Sequence, residues 1–289
     1  MKHLKNTVIL NNGVEMPSIG YGVFRITDAK ECEKAVYEAI KAGYRLIDTA
    51  SAYENEEAVG RAILRSGVPR NELFITTKLW ITDTNYEGAK QGFQHSLNRL
   101  GLDYIDLYLI HQPFNDYYGA WRAMEELYAD GKIRAIGVDN FTQERLADFI
   151  FFNKIKPAVN LIECNAFYQR KEDLAFMNDE NIQMQAWSPL AAGNGRLFDS
   201  PLLQQLSQKY NKTVPQIVLR WLTERGIVPL VKSVNPQRIQ ENLDIFDFIL
   251  SEEDMEMIAK LDTGHSCFPP RISGEDVNAF LKAAQKYNV

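Results

Sequence analysis

Asp48, Tyr53, Lys78 and His111 are residue types that move protons, and their positions in this chain suggest that they act together. Asp48 ends the apolar run in "YRLIDTASAYENE" (44–56), and Tyr53 follows in the loop behind it. Lys78 stands near the end of "LFITTKLW" (73–80), and His111 closes "YIDLYLIH" (104–111). Each has an ordinary explanation alone: a strand-end Asp opens a turn or caps a helix, and a lone His is most often structural. A buried ammonium or carboxylate is costly unless paired. Asp48 and Lys78, on neighbouring runs, are therefore expected to pair. Four such groups at one end of consecutive runs point to a proton-transfer site.

Holding them there requires a parallel sheet. Eight short, β-branched, apolar runs recur at 18–24, 44–50, 73–80, 104–111, 133–140, 158–165, 182–190 and 226–233. Amphipathic stretches separate them, such as "AKECEKAVYEAIKAGY", with Ala35, Val36, Ala39 and Ile40 on one face. Another is "TVPQIVLRWLTERG", with Ile217, Val218, Trp221 and Leu222 on one face and Gly226 as its stop. Such alternation predicts parallel strands covered by helices. Eight near-even units predict an α/β fold of the (β/α)8 TIM-barrel type, whose active sites lie at the C-terminal ends of the strands. A doubly wound open sheet is the competitor, but no Gly-x-Gly-x-x-Gly follows the first run. The Asn12-Gly13 pair in "VILNNGVEMP" predicts an N-terminal hairpin. A helix over 251–262 and a Gly/Pro-rich tail form a C-terminal extension. No linker-like composition shift occurs, so residues 1–289 are read as a single domain.

Composition narrows the class. A net charge of −6 and a pI near 5.4 disfavour a nucleic-acid or anionic-membrane surface. No run approaches the roughly 20 apolar residues of a membrane span, and the N-terminus lacks a signal-peptide core. Cys32, Cys164 and Cys267 are too widely spaced for a disulfide framework or a zinc site. These features predict a cytoplasmic protein with no metal, no nucleic-acid partner and no membrane partner.

The stretches "GYRLIDTASAYENEEAVG", "LFITTKLW", "DLYLIHQP", "GVDNF", "AWSPL" and "VKSVNPQRIQENLDIFDF" span nearly the whole chain. In order and content they resemble the aldo-keto reductases, in particular bacterial members similar to 2,5-diketo-gluconate reductases. The resemblance implies that Asp48, Tyr53, Lys78 and His111 are a catalytic tetrad for NADPH-dependent carbonyl reduction. Tyr53 would be the proton donor and, with His111, would hold the substrate oxygen. Lys78 is expected to favour the phenolate against an ordinary phenol pKa of about 10, and Asp48 to hold Lys78. A monomer acting on a small-molecule carbonyl is expected.

The cofactor site is expected on the last unit. Asn235 and Pro236 start a helix, and Arg238 sits in its first turn, where the dipole disfavours a cation unless an anion joins it. Lys232, Ser233 and Arg238 match the family's 2′-phosphate contacts, and Glu241 and Asn242 its adenine contacts. Trp187 matches an aromatic stacked on the nicotinamide, with Ser188 and Leu190 in the same stretch. Asp139 and Asn140 fall at the carboxamide grip, normally Ser, Asn and Gln. Here the Ser position is Asp139 and the Gln position Leu161. Leu161 forms no hydrogen bond and an ionised Asp139 only accepts, so weaker nicotinamide anchoring is expected.

The family's His-Trp-Pro is His111-Gln112-Pro113. With Phe24, Trp80 and Phe114, Gln112 is expected to line a pocket for small polar carbonyls, closed by "GHSCFPPRISGED" (264–276). Two other readings compete. One is an NADPH-binding sensor or scaffold with little turnover, favoured by the altered carboxamide grip. The other is a glycosidase-type barrel, which would need a second carboxylate such as Glu163.

Overall fold

The computed structural model describes residues 6–285 apart from 194, 270 and 272. Strands β1 (Thr7–Ile9) and β2 (Glu15–Pro17) pair antiparallel around the loop Asn11-Asn12-Gly13. Gly13 takes the left-handed conformation (φ 83°) that such a three-residue loop needs. Beneath the barrel, Leu10 and Met16 of this hairpin join the cluster that fills the lumen.

Every one of the eight apolar runs contains a strand: β3 (Gly20–Gly22), β4 (Leu46–Asp48), β5 (Phe74–Leu79), β6 (Ile105–Ile110), β7 (Ile133–Asp139), β8 (Val159–Glu163), β9 (Gln183–Trp187) and β10 (Val228–Val231). All pair in parallel in sequence order, and Leu230 opposite Gly20 closes the ring between β10 and β3. The helix Ala29–Ala42 is capped by Asp28, which accepts from Glu31 N at 2.8 Å, and it buries Ala35, Val36, Ala39 and Ile40. The helix Val214–Glu224 starts at a Thr213–Gln216 capping box and buries Ile217, Val218, Trp221 and Leu222. Each apolar face packs on the outside of the barrel, as its period of 3.6 requires.

The pleat selects the functional residues. Leu46, Phe74, Leu107, Leu109, Val159, Leu161, Val228 and Leu230 share the lumen cluster. Ile47, Ile75, Tyr108, Ile110, Ile162 and Val231 belong to the outer core under the helices. Because side chains alternate between faces, the inward positions near the strand ends are Asp48, Lys78, His111, Asp139, Glu163 and Trp187. A Cβ at Gly137 would come within 2.6 Å of Val159 O and 2.7 Å of Leu109 Cδ2, so the lumen beneath them is solid.

The extension differs from a plain tail. After the helix Glu252–Ala259, a further helix runs from Gly274 to Ala284. Ser273 Oγ accepts from Asp276 N (3.1 Å) and Asp276 Oδ2 accepts from Ser273 N (3.0 Å), which fixes its start. The Gly/Pro density before it hid this cap from sequence reading. Of the segment expected to close the pocket, Pro270 and Ile272 lie outside the described residues.

Candidate active site

Lys78 organises the barrel mouth. Its side chain is fully buried, and its Nζ donates to Asp48 Oδ1 (2.7 Å), Thr49 O (2.9 Å) and Tyr53 Oη (3.1 Å). Asp48 ends β4, and a 3-10 turn over Ser51–Tyr53 brings the phenol back over the strand end. Ser51 Oγ donates to Lys78 O (2.9 Å) and anchors that turn. An ammonium has three N–H groups, and all three are now committed. Tyr53 Oη accepts one of them, so its own O–H is left to donate elsewhere.

Burial is the largest influence on the Tyr53 phenol and raises it above the ordinary range, while the Lys78 ammonium opposes this and does not prevail. Lys78 favours the phenolate, as expected, but burial of the anion outweighs the neighbouring cation, and the phenol is held above its ordinary range. On Lys78 burial pulls downward, but Asp48, Tyr53 and Asp139 together raise it, so it stays charged.

His111 follows β6, with its ring 5.5 Å from that of Tyr53 and 4.9 Å from that of Trp80. Burial, then Lys78 and Arg271, hold its pKa well below the usual histidine value, so the imidazole is neutral. Its Nδ1 is buried without a partner among the described residues. An orphaned lone pair is less costly than an orphaned N–H, which assigns the proton to Nε2.

Asp139 ends β7. Burial, reinforced by Asp48 and opposed by Lys78, raises its carboxyl well above the usual carboxylate range. Its neutral form is thereby favoured over the acceptor-only anion. Asn140 (φ 65°) is held at both ends of its amide: Nδ2 donates to Asp139 Oδ1 (2.6 Å) and His111 O (3.2 Å), and Oδ1 accepts from Trp187 Nε1 (3.0 Å). A second lone pair on Asn140 Oδ1 remains. Leu161 packs into the lumen cluster.

The sequence-predicted cofactor residues form an arc from β9 to the helix Pro236–Leu243. Beyond Trp187, Ser188 (φ 54°) has a buried Oγ with no partner among the described residues, and Leu190 packs on the outer core. Lys232 is exposed, and Ser233 Oγ accepts from Asn235 N (3.1 Å). Asn235 caps the helix by accepting from Arg238 N (3.2 Å). The Arg238 and Glu241 side chains are exposed on it, and Asn242 is buried. Two exposed cations beside a helix start and the orphaned Ser188 hydroxyl fit a phosphorylated dinucleotide. Among the described residues no group of His, Cys, Asp or Glu is arranged to hold a metal, and no helix is long and apolar enough to cross a membrane.

Phe24, Trp80 and Phe114 wall the mouth beside Tyr53 and His111. The segment expected to close the pocket contributes Arg271, whereas Phe280 and Ala284 of the helix behind it were not foreseen. Phe280 lies 5.5 Å from Phe114 and 6.4 Å from Trp80, ring to ring, and Trp80 Nε1 donates to Ala284 O (3.1 Å). Arg271 stacks on Phe280 (4.0 Å) and donates to Gln112 Oε1 (2.5 Å). Apart from Arg271 on Phe280, these contacts join positions more than 150 residues apart, for which no local signal exists. Glu163 is occupied in holding the neighbouring loop: it accepts from Cys267 N (2.9 Å), Ser266 Oγ and Asn165 Nδ2 (3.4 Å). It is thereby a poor second carboxylate for glycoside hydrolysis.

Residues 18–263 match the model of the aldo/keto reductase family. The chain is 50% identical over 260 residues to the glyoxal reductase of Bacillus subtilis, covering 90% of this chain and 94% of that protein. Its fold superimposes on MGS-M4, an aldo-keto reductase enzyme from a Medee basin deep-sea metagenome library, with TM-score 0.90 and 44% identity over 92% of this chain and 98% of the other. It also superimposes on a Bombyx mori aldo-keto reductase in complex with NADP, with TM-score 0.87 and 36% identity over 91% and 94%.

Proposed function

The chain belongs to the aldo/keto reductase family, and from that premise we propose that it reduces small polar aldehydes and ketones with NADPH, Tyr53 supplying the proton. It is an oxidoreductase acting on carbonyl groups. One observation carries the finer reading: Lys78 uses all three N–H groups on Asp48, Thr49 and Tyr53, so the Tyr53 O–H can only donate outward. NADPH, when bound, supplies the hydride. The chain's own part is to hold the substrate oxygen between Tyr53 Oη and His111 Nε2 and to pass it a proton as negative charge grows there. Phe24, Trp80 and Phe114 exclude water and orient the carbonyl. Gln112 and Arg271 give the pocket a polar side, which, with the similarity to a glyoxal reductase, supports small polar substrates. Three free cysteines suit a reducing cytoplasm.

The test follows NADPH absorbance with a panel of 2-oxoaldehydes, ketoses and simple aldehydes, beside a Tyr53→Phe control. Turnover by the wild type that the control lacks supports the reading. Tight NADPH binding with no turnover of any carbonyl would replace it with the sensor.

For the cofactor, the reading assigns Lys232, Ser233 and Arg238 to the 2′-phosphate, Glu241 and Asn242 to the adenine, and Trp187, Ser188, Leu190, Asp139 and Asn140 to the nicotinamide half. A hydrogen bond to a charged group contributes about 1.5–3 kcal/mol. Arg238→Ala is therefore expected to weaken NADPH binding roughly 10- to 100-fold and NADH binding hardly at all. Fluorescence titration with both cofactors checks this, and equal losses for the two would place Arg238 away from the phosphate.

A further inference from the structure

Asp139 takes no part in the proton transfer described above, yet it is 2% exposed and sits among the groups that do. Its Oδ1 accepts from Asn140 Nδ2 (2.6 Å), and its Oδ2 lies 3.8 Å from His111 Nε2. The ionisable groups that face it are Asp48 on β4, Tyr53 in the turn behind that strand, Lys78 on β5, His111 behind β6 and Arg271 from the C-terminal segment. Glu163, at the end of the adjacent strand β8, is engaged by Asn165, Ser266 and Cys267.

Lys78 and Arg271 both act on Asp139 from a distance, but among the described residues neither is in contact with it. Two buried carboxyls share one buried ammonium, and Lys78 makes its direct contact with Asp48. His111 is neutral, and the Arg271 guanidinium points at Gln112. Like charges in one low-dielectric site cannot both ionise cheaply, so the carboxyl without a cation in contact keeps its proton. Bringing a cation beside it would release that proton. The nicotinamide ring is such a group, being neutral in NADPH and cationic in NADP+.

We propose that Asp139 is a redox-linked proton site: its carboxyl stays protonated beside NADPH and gives the proton to solvent when NADP+ occupies the pocket. The inference rests on the cofactor reading above, in which Asp139 and Asn140 meet the nicotinamide. In the step one O–H bond breaks, its electron pair stays on the carboxylate, and nothing is oxidised or reduced. The chemical consequence is a preference for the oxidised cofactor that grows with pH. Mild acid then favours release of NADP+ and continued carbonyl reduction, whereas mild alkali retains it.

Calorimetric titration of the full chain with NADP+ and with NADPH, each in two buffers of different ionisation enthalpy, counts the protons released. Up to one more proton is expected on binding NADP+ than on binding NADPH. The Kd for NADP+ should fall up to about tenfold per pH unit within the titration window, and that for NADPH should lack this slope. The 2′-phosphate is common to both cofactors, so its own titration cancels in the difference. Asp139→Asn, equal in shape but unable to ionise, should remove both the extra proton and the extra slope, and Asp139→Ser should do the same. Equal proton release with both cofactors in the wild type, or a difference that survives in Asp139→Asn, overturns the proposal. Failure of either cofactor to bind overturns the cofactor reading and this inference with it.

Discussion

Tyr53→Phe lowers kcat for carbonyl reduction by roughly 10²- to 10⁴-fold, the range attributed to a positioned proton donor, and leaves the Kd for NADPH within about twofold. The substitution deletes one oxygen and keeps the ring, whose contact with Phe24 at 5.0 Å preserves the pocket wall. It removes the only group that both accepts from Lys78 and has a hydrogen left to give outward. His111 Nε2 remains as a single donor to the substrate oxygen, which accounts for residual rate. Stopped-flow NADPH oxidation separates the chemical step from cofactor release. A variant that keeps more than about a tenth of wild-type kcat would move the proton donor elsewhere, with His111 the next candidate.

Lys78→Met has a different signature, because it strikes stability as well as rate. It leaves the Asp48 carboxylate buried without its ammonium, and breaking a buried pair by removing one partner costs about 3–5 kcal/mol. The same change strips Tyr53 of the contact that aims its hydroxyl, so kcat should fall at least as far as in Tyr53→Phe. Replacing both members, as Lys78→Met with Asp48→Asn, removes the stranded charge and is expected to recover most of the stability but none of the activity. Urea unfolding, with the slope checked for constancy, reads the first effect, and single-turnover kinetics reads the second. A single variant that loses under about 1 kcal/mol would mean that Asp48 finds water or protonates at little cost. Activity restored in the double variant would show that Lys78 serves only to neutralise Asp48.

Much of this molecule was legible before folding. Each apolar run holds a strand because near-continuous β-branched sequence suits a strand covered on both faces. The helices at 29–42 and 214–224 announced themselves through a 3.6-residue period, the second also through its stop at Gly226. The pairing of Asp48 with Lys78 was expected because neither charge can be buried alone, and the 2.7 Å contact is the answer to that constraint. The sequence also carried Asn235 as a helix cap and the departures at 139 and 161.

What one chain of residue types could not settle is where competing influences balance. The protonation of Tyr53 and Asp139 depends on how deep each lies and how many cations reach it, quantities that arise only when β4, β5, β6 and β7 stand side by side. The roof of the pocket, Arg271 on Phe280 and Gln112 with Ala284 at Trp80, pairs the last tenth of the chain with loops from its first half. Such contacts leave no local pattern, since the period of a helix or strand records which face is apolar and not what that face meets. The sequence by itself determined the barrel, its pleat and the proton-moving side chains at its mouth. Only the tertiary structure decided which of them hold their protons, because burial and charge sum over neighbours distant in the chain.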